Sequence, residues 1–331
     1  MRPRVALLGC GRWGRNIGRC LNELGCLDAV SDATPSAAKI LADTYETRNI
    51  SIEDVLADDA VDAVAIATPA ITHASVALSA LRAGKHVFVE KPMATAVADA
   101  LAVDKAARAA GKTFMVGHLL QYHPAFMELK AQVSSGVIGA IRYVYSNRLA
   151  FGRIRTEENS LWSFAPHDIS MILTLMGEEP QSVHAVGGAY VQPTLADVTT
   201  THMTFSGGRR AHVFVSWLHP YKEQKLVVIG EDGMLEFNDS QPMGRKLQIY
   251  RHQVDWSADM PNALAAQAEA LAVPEGEPLS AEMAHFLDCV EKGTKPRTDA
   301  AEGVRVLKVL NQAQAALDRP LATISSTEQF V

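Results

Sequence analysis

The chain has 331 residues, longer than one ordinary hydrophobic core, and this length predicts two domains. With 48% hydrophobic and 21% charged residues it is not a disordered chain, and a net charge of −6 with scattered Lys and Arg excludes a nucleic-acid surface. No apolar run is long enough to cross a bilayer, and the stretch after Met1–Arg4 is too short for a signal peptide.

Val5 to Leu8 is a short apolar run stopping at Gly9, as expected of a strand buried on both faces. Ile17, Cys20, Leu21 and Leu24 then recur at helical spacing, closed by Gly25, and a second strand runs from Leu27 to Ser31 and ends at Asp32. The alternation repeats: strand Ala63–Ala67, helix His73–Ala83, strand His86–Val89, helix Ala96–Ala110, strand Thr113–Val116. Such alternation predicts βαβ units and a parallel sheet.

After Gly117 the pattern changes. Pro124 opens a helix that Gly136 ends. Ala211, Val213, Val215 and Trp217 then alternate with His212, Phe214 and Ser216, with turns expected at Ser206–Gly208 and Glu231–Gly233. Ala263 to Ala272 reads as a modest helix or a surface connection, and helices are expected over Ser280–Lys292 and Ala300–Leu317. The expectation is an α/β Rossmann domain over residues 1–120. An α+β domain with an open, mostly antiparallel sheet follows over 121–331, for substrate binding and oligomerisation.

Chemistry concentrates at the ends of the first-half strands. Gly9-Cys10-Gly11-Arg12-Trp13-Gly14 follows a strand and opens a helix: Gly9 for the tight turn, Gly11 for close approach of a pyrophosphate, Gly14 for helix–sheet packing. The helix N-terminus favours the phosphates, and Asp32 suits the adenine-ribose hydroxyls while repelling a 2′-phosphate. NAD is therefore the expected cofactor. Thr68-Pro69 with His73, and Glu90-Lys91-Pro92, fall at two further strand ends. The four cysteines form no CxxC pair and have no histidine at zinc spacing, so no metal site is expected, and a reducing, cytoplasmic compartment is.

These motifs, in this order, resemble the Gfo/Idh/MocA oxidoreductases, relatives of glucose–fructose oxidoreductase and inositol dehydrogenase. The likeness extends to Pro278-Leu279-Ser280-Ala281-Glu282…Phe286 and Pro296-Arg297-Thr298. It implies an open-faced sheet covering the nicotinamide, an active-site Lys91, a cis Pro92, and Glu90 at the nicotinamide ribose. Arg12, Trp13, Thr68, Pro69, His73 and Gln121 join the expected cofactor contacts. Leu161 to Ser170 resembles the family's second catalytic motif, which makes His167 the acid–base. The two acids usual around that histidine are replaced by Ser163 and Ser170, so the residue that orients His167 is open, with Asp168 adjacent. Gln121 stands where arginine is frequent, and His118 and His123 are further pocket residues.

Alcohol oxidation needs a proton acceptor and a group that stabilises the developing alkoxide, roles suited to His167 and Lys91; the reverse assignment stays open. Arg148 and Arg153, with Arg155 nearby, offer guanidinium groups for phosphate or carboxylate, and Trp162, Phe164, Tyr190 and Trp217 offer stacking surfaces. Together with His167 these define the expected substrate site. Tyr143 to Ser170 also resembles enzymes of bacterial polysaccharide biosynthesis that oxidise C3 of a UDP-N-acetylamino sugar or its uronate. An inositol or free-sugar dehydrogenase and a non-catalytic NAD-binding regulator are the competing readings. A homodimer or homotetramer through the free sheet face is expected.

Overall fold

The computed structural model describes residues 2–319 apart from 153 and 258. Six parallel strands form the first sheet: β1 (Val5–Leu8), β2 (Leu27–Ser31), β3 (Arg48–Asn49), β4 (Ala63–Ile66), β5 (His86–Glu90) and β6 (Phe114–Gly117). Their order is β3-β2-β1-β4-β5-β6, so the chain reverses direction across the sheet between β1 and β4. Ligands bind outside the carboxyl ends of the strands at such a switch point. The connecting helices are α1 (Arg12–Glu23), α2 (Pro35–Tyr45), α3 (Ile52–Ala57), α4 (Ala70–Arg82) and α5 (Val97–Ala110). The strand residues of β1 and β4 are wholly buried, as helices on both faces require.

A 3-10 turn at Leu119–Tyr122 and α6 (Pro124–Ser134) lead to β7 (Ile141–Phe151). Next come α7 (Ser160–Met176), β8 (Ser182–Gly188), β9 (Val198–Thr204), β10 (Arg210–Ser216), β11 (Leu218–Gly230), β12 (Met234–Asn238) and β13 (Leu247–Tyr250). The short strands β14 (Gln253–Asp255), β15 (Asn262–Leu264) and β16 (Glu269–Ala270) follow, and α8 (Pro278–Lys292) and α9 (Ala300–Leu317) close the described chain. The second sheet runs β16-β13-β12-β11-β7-β10-β9-β8 and is antiparallel except where β7 pairs β10 in parallel. Its inner face packs Val144, Val213, Leu226 and Phe237 against α7 and α9, while Tyr143, Tyr145 and His212 lie on the outer face.

Two local expectations change, and one element is added. The stretch Ala263–Ala272 holds two short exposed strands rather than a helix, because its alanines have no apolar partner face to bury. Helix α7, which the sequence analysis did not assign, begins at Ser160 and passes through Pro166, so the motif from Leu161 to Ser170 with His167 is helical. The last two helices return to the first sheet. Leu279, Met283 and Phe286 of α8 share a core with Val5, Ile17 and Phe88, and α9 packs on α5 as well as on α7. Among the described residues no helix is long and apolar enough to cross a membrane.

Candidate active site

At the switch point Gly9 adopts φ +100°, and a Cβ there would stand 2.6 Å from the Ala67 backbone, so only glycine lets the ends of β1 and β4 meet. A Cβ on Gly14 would lie 2.0 Å from the Gly9 carbonyl oxygen, which fixes α1 against the turn. Gly11 differs: among the described residues nothing lies within 4 Å of its absent Cβ. That open space faces a helix start whose N-cap is this glycine, with no side chain capping the first amides. The cradle thus has the room and the unpaired donors that a pyrophosphate needs.

Asp32 is held beside it. Its two oxygens accept the Cys10 amide at 2.6 Å and the Thr34 amide at 2.7 Å, which fixes the carboxylate at the end of β2. Burial pushes the Cys10 thiol up to about 12, so this cysteine stays protonated and packs as a small apolar residue. Arg12 is exposed, and Trp13 reaches from the glycine turn to donate its indole N–H to Glu90. Thr68 and Pro69 form the turn into α4.

His73 has a different place from the one expected. It is buried, and its ring nitrogens lie 2.8 Å from the carbonyls of Pro92 and Thr68. The imidazole ties the turn after β4 to the turn after β5 from beneath, so it supports the cofactor groove without lining it.

The end of β5 carries the reactive groups. Burial pushes the Glu90 carboxyl up to about 7, against the Trp13 hydrogen bond and the Lys91 charge, which favour the carboxylate. The Lys91–Pro92 peptide bond is cis. Lys91 extends across the junction and donates from Nζ to the Ser163 carbonyl of α7 at 3.0 Å. Burial lowers its pKa; Glu158 and Glu90 oppose the shift, and Arg155 and Arg148 add to it. His167, one turn further along α7, has no partner at Nδ1 among the described residues. Burial first, then the charges of Lys91, Arg148 and His118, hold its pKa well below the ordinary imidazole value.

Several expected residues are directed elsewhere. Arg148 is buried and paired with Asp168, Nε to Oδ2 at 2.7 Å and NH2 to Oδ1 at 3.1 Å, with the Ser146 hydroxyl on Oδ1 at 2.6 Å. Its guanidinium therefore locks β7 to α7 instead of offering a free fork to substrate, and Asp168 faces β7 and does not orient His167. Gln121 is also turned inward, its amide nitrogen 3.0 Å from the Ser170 carbonyl and hydroxyl and 2.7 Å from Thr174. It holds α7 in place rather than reaching the cofactor groove. The Trp162 indole N–H donates to Gln314 of α9 at 3.0 Å, and Trp217 is fully buried against Asp197. Arg153 lies outside the described residues. Arg155, paired with Glu158 at 3.2 Å and anchored through its carbonyl by Gln192, is the described arginine on this loop whose charge reaches Lys91.

Sequence reasoning missed Glu302. Asp299 caps α9 and accepts the Glu302 amide at 2.9 Å, so Asp299-x-x-Glu302 has the form of a capping box. The Glu302 side chain turns inward instead, meeting His118 Nδ1 at 2.6 Å and the Ser170 hydroxyl at 2.6 Å. A carboxylate does reach this region, but from a helix over 130 residues away in sequence.

Residues 3–118 match the oxidoreductase family's NAD-binding Rossmann fold, and residues 126–236 match the Gfo/Idh/MocA C-terminal domain. The chain belongs to the Gfo/Idh/MocA family. Among its relatives, a UDP-N-acetylglucosamine 3-dehydrogenase of Acidithiobacillus ferrooxidans is 28% identical, covering 95% of this chain and 97% of that protein. The solved structure of that enzyme superimposes with a TM-score of 0.85 over 96% of this chain and 98% of its own. An inositol 2-dehydrogenase of Acidothermus cellulolyticus is 30% identical over 74% of this chain and 75% of that protein. This Gfo/Idh/MocA chain is thus an NAD-dependent oxidoreductase.

Proposed function

We propose that the enzyme oxidises a secondary hydroxyl, at C3, of a nucleotide-activated sugar such as UDP-N-acetylglucosamine or its uronate. The observation that carries this reading is the end-to-end likeness to a UDP-N-acetylglucosamine 3-dehydrogenase, whereas the inositol dehydrogenase likeness spans about three quarters of the chain. Glu90, Lys91, Gly9, Gly11, Gly14 and Asp32 hold and border the cofactor. Lys91 brings a cation to the reacting oxygen, with the Ser163 carbonyl fixing its ammonium. When bound, NAD would supply the acceptor for the hydride released as the carbinol C–H bond breaks with its electron pair. His167 stands by as a neutral imidazole that hydrogen-bonds the hydroxyl. Arg155, in place of Arg148, serves the diphosphate, because its side chain remains a third exposed and is carried on the loop leading into α7. The enzyme acts in the cytoplasm as a homodimer or homotetramer, with a second copy on the outer face where Tyr145 stacks on His212.

The test is a panel of UDP-sugars, inositols and free hexoses offered with NAD, with NADH absorbance as the readout. Turnover of a UDP-N-acetylamino sugar is expected, and Arg155→Ala raises its KM by about tenfold while leaving kcat close to unchanged. Turnover of unactivated polyols alone overturns the assignment.

A further inference from the structure

His73 has an acceptor on each side of its ring and, when neutral, too few protons for both. Its Nδ1 lies 2.8 Å from the Pro92 carbonyl oxygen, its Nε2 2.8 Å from the Thr68 carbonyl oxygen, and the ring is buried. A carbonyl oxygen only accepts, and a neutral imidazole has a single N–H, so only the imidazolium satisfies both contacts. A neutral ring leaves one bare nitrogen facing a carbonyl lone pair. Burial nevertheless lowers the pKa of this ring; the backbone of Pro92, Thr68 and Glu90 opposes the shift, and the Lys91 charge adds to it. At neutral pH the protein alone thus holds a neutral ring between contacts that suit a cation.

The missing negative charge is that of the dinucleotide. The turn that His73 contacts abuts the glycine cradle: a Cβ on Gly9 would stand 2.6 Å from the Ala67 carbonyl oxygen and 2.7 Å from the Thr68 nitrogen. We propose that His73 takes up one proton from solvent when the dinucleotide binds, and that the resulting imidazolium, donating to both carbonyls, is a buried countercharge for the diphosphate. A new N–H bond forms on the ring nitrogen that lacked one, and no other bond changes. The turn after β4 and the turn after β5, which carries Lys91, are then both tied to one ring. His73 is therefore a positioning residue that acts through these two turns and does not touch the cofactor.

The elements packed around this ring offer no competing countercharge. Strand β4 carries no ionisable residue, and the other ionisable residue of α4 is Arg82, in its last turn. From β5, Lys91 opposes the second proton, while the Glu90 carboxyl is turned to the Trp13 indole N–H. Helix α5, packed on α4, has Asp99 and Lys105 exposed and Asp104 tied to Arg108. Among the described residues no carboxylate lies within hydrogen-bond reach of either ring nitrogen.

The proposal rests on the diphosphate lying in the glycine cradle and not on which sugar is used. The test needs no turnover: ADP-ribose, which has the diphosphate and lacks the nicotinamide, is titrated into the whole chain by calorimetry in buffers of different ionisation enthalpy. The wild type is expected to take up roughly half a proton or more per ADP-ribose at pH 7.5, and its affinity to fall about tenfold between pH 7 and 9. His73→Gln, whose amide donates to a carbonyl but cannot be charged, takes up no proton, and its affinity is flat with pH and about tenfold weaker at pH 6.5. Nitrogen NMR of the labelled histidines in the wild type gives a second reading that no variant can spoil. One more ring protonated on both nitrogens is expected in the complex at pH 7.5. No proton uptake by the wild type, equal uptake by H73Q, or an unchanged count of doubly protonated rings overturns the proposal. No binding of ADP-ribose at any pH refutes the placing of the diphosphate, and the proposal with it.

Discussion

Replacing Glu90 by glutamine removes one ionisation from the cofactor groove and little else, because the amide keeps the shape of the carboxyl and an acceptor for the Trp13 indole N–H. In the folded chain burial raises this carboxyl from 4.5 to about 7. A shift of that size corresponds to about 3 kcal/mol of preference for the protonated form. Since the folded value lies above the unfolded one, the stabilisation is complete below about pH 4.5 and is lost as pH rises through about 7. E90Q and wild type should therefore coincide in stability at low pH. Above neutrality the variant gains up to about 3 kcal/mol, or roughly 5 °C in melting temperature. Trp13 gives an independent view of the same proton: the emission difference between wild type and Trp13→Phe should titrate near pH 7 and become flat in the E90Q background. Parallel melting curves across the whole range, or an emission midpoint near that of an ordinary carboxylate, would refute the account of Glu90.

The remaining predictions test the cradle and the buried pair. Gly11→Val should weaken NADH binding by about tenfold or more, about 1.4 kcal/mol, with melting almost unchanged, because the new side chain fills space the protein leaves open. Gly14→Ala should instead destabilise by about 3 kcal/mol or more, since its Cβ meets the Gly9 carbonyl oxygen; calorimetry separates the two effects. Arg148→Met should cost about 3–5 kcal/mol in urea unfolding by leaving Asp168 buried and unpaired, and adding Asp168→Leu should regain most of it. A cost below about 1 kcal/mol for Arg148→Met would mean that water reaches the pair.

The first half of the chain was easy to read because its signals are local. Val5–Leu8 is buried on both faces and reads as an unbroken apolar run, and Gly9, Gly11 and Gly14 sit within one turn of the groove they shape. Even there the span between Asp32 and Asp62 passed unread, although Pro35 and the Ser51 cap mark the starts of α2 and α3. In the second half the deciding contacts are distant. Nothing in the sequence near Arg148 says that Asp168 will neutralise it, so a structural arginine and a ligand-binding one look alike. The interior of α7 is hidden by Pro166 and by buried polar residues such as Ser163, Asp168 and Ser170, whose partners come from β7, β5 and α9. Glu302 lies in the first turn of a helix, and nothing beside it in the sequence points to its distant partners His118 and Ser170.

The return of α8 and α9 to the first sheet bears on how the chain is made. Phe88 and Met115 are finished early in synthesis, yet the faces that bury them include Met283 and Phe286 of α8, and β6 is flanked by α9. The half synthesised first is therefore completed last. A nascent chain stopped before residue 278 presents an apolar sheet surface to whatever is nearby, the condition that recruits chaperones or seeds aggregation. The glycine turn can form on the ribosome; the pair of His118 and Glu302 cannot exist until α9 has been released.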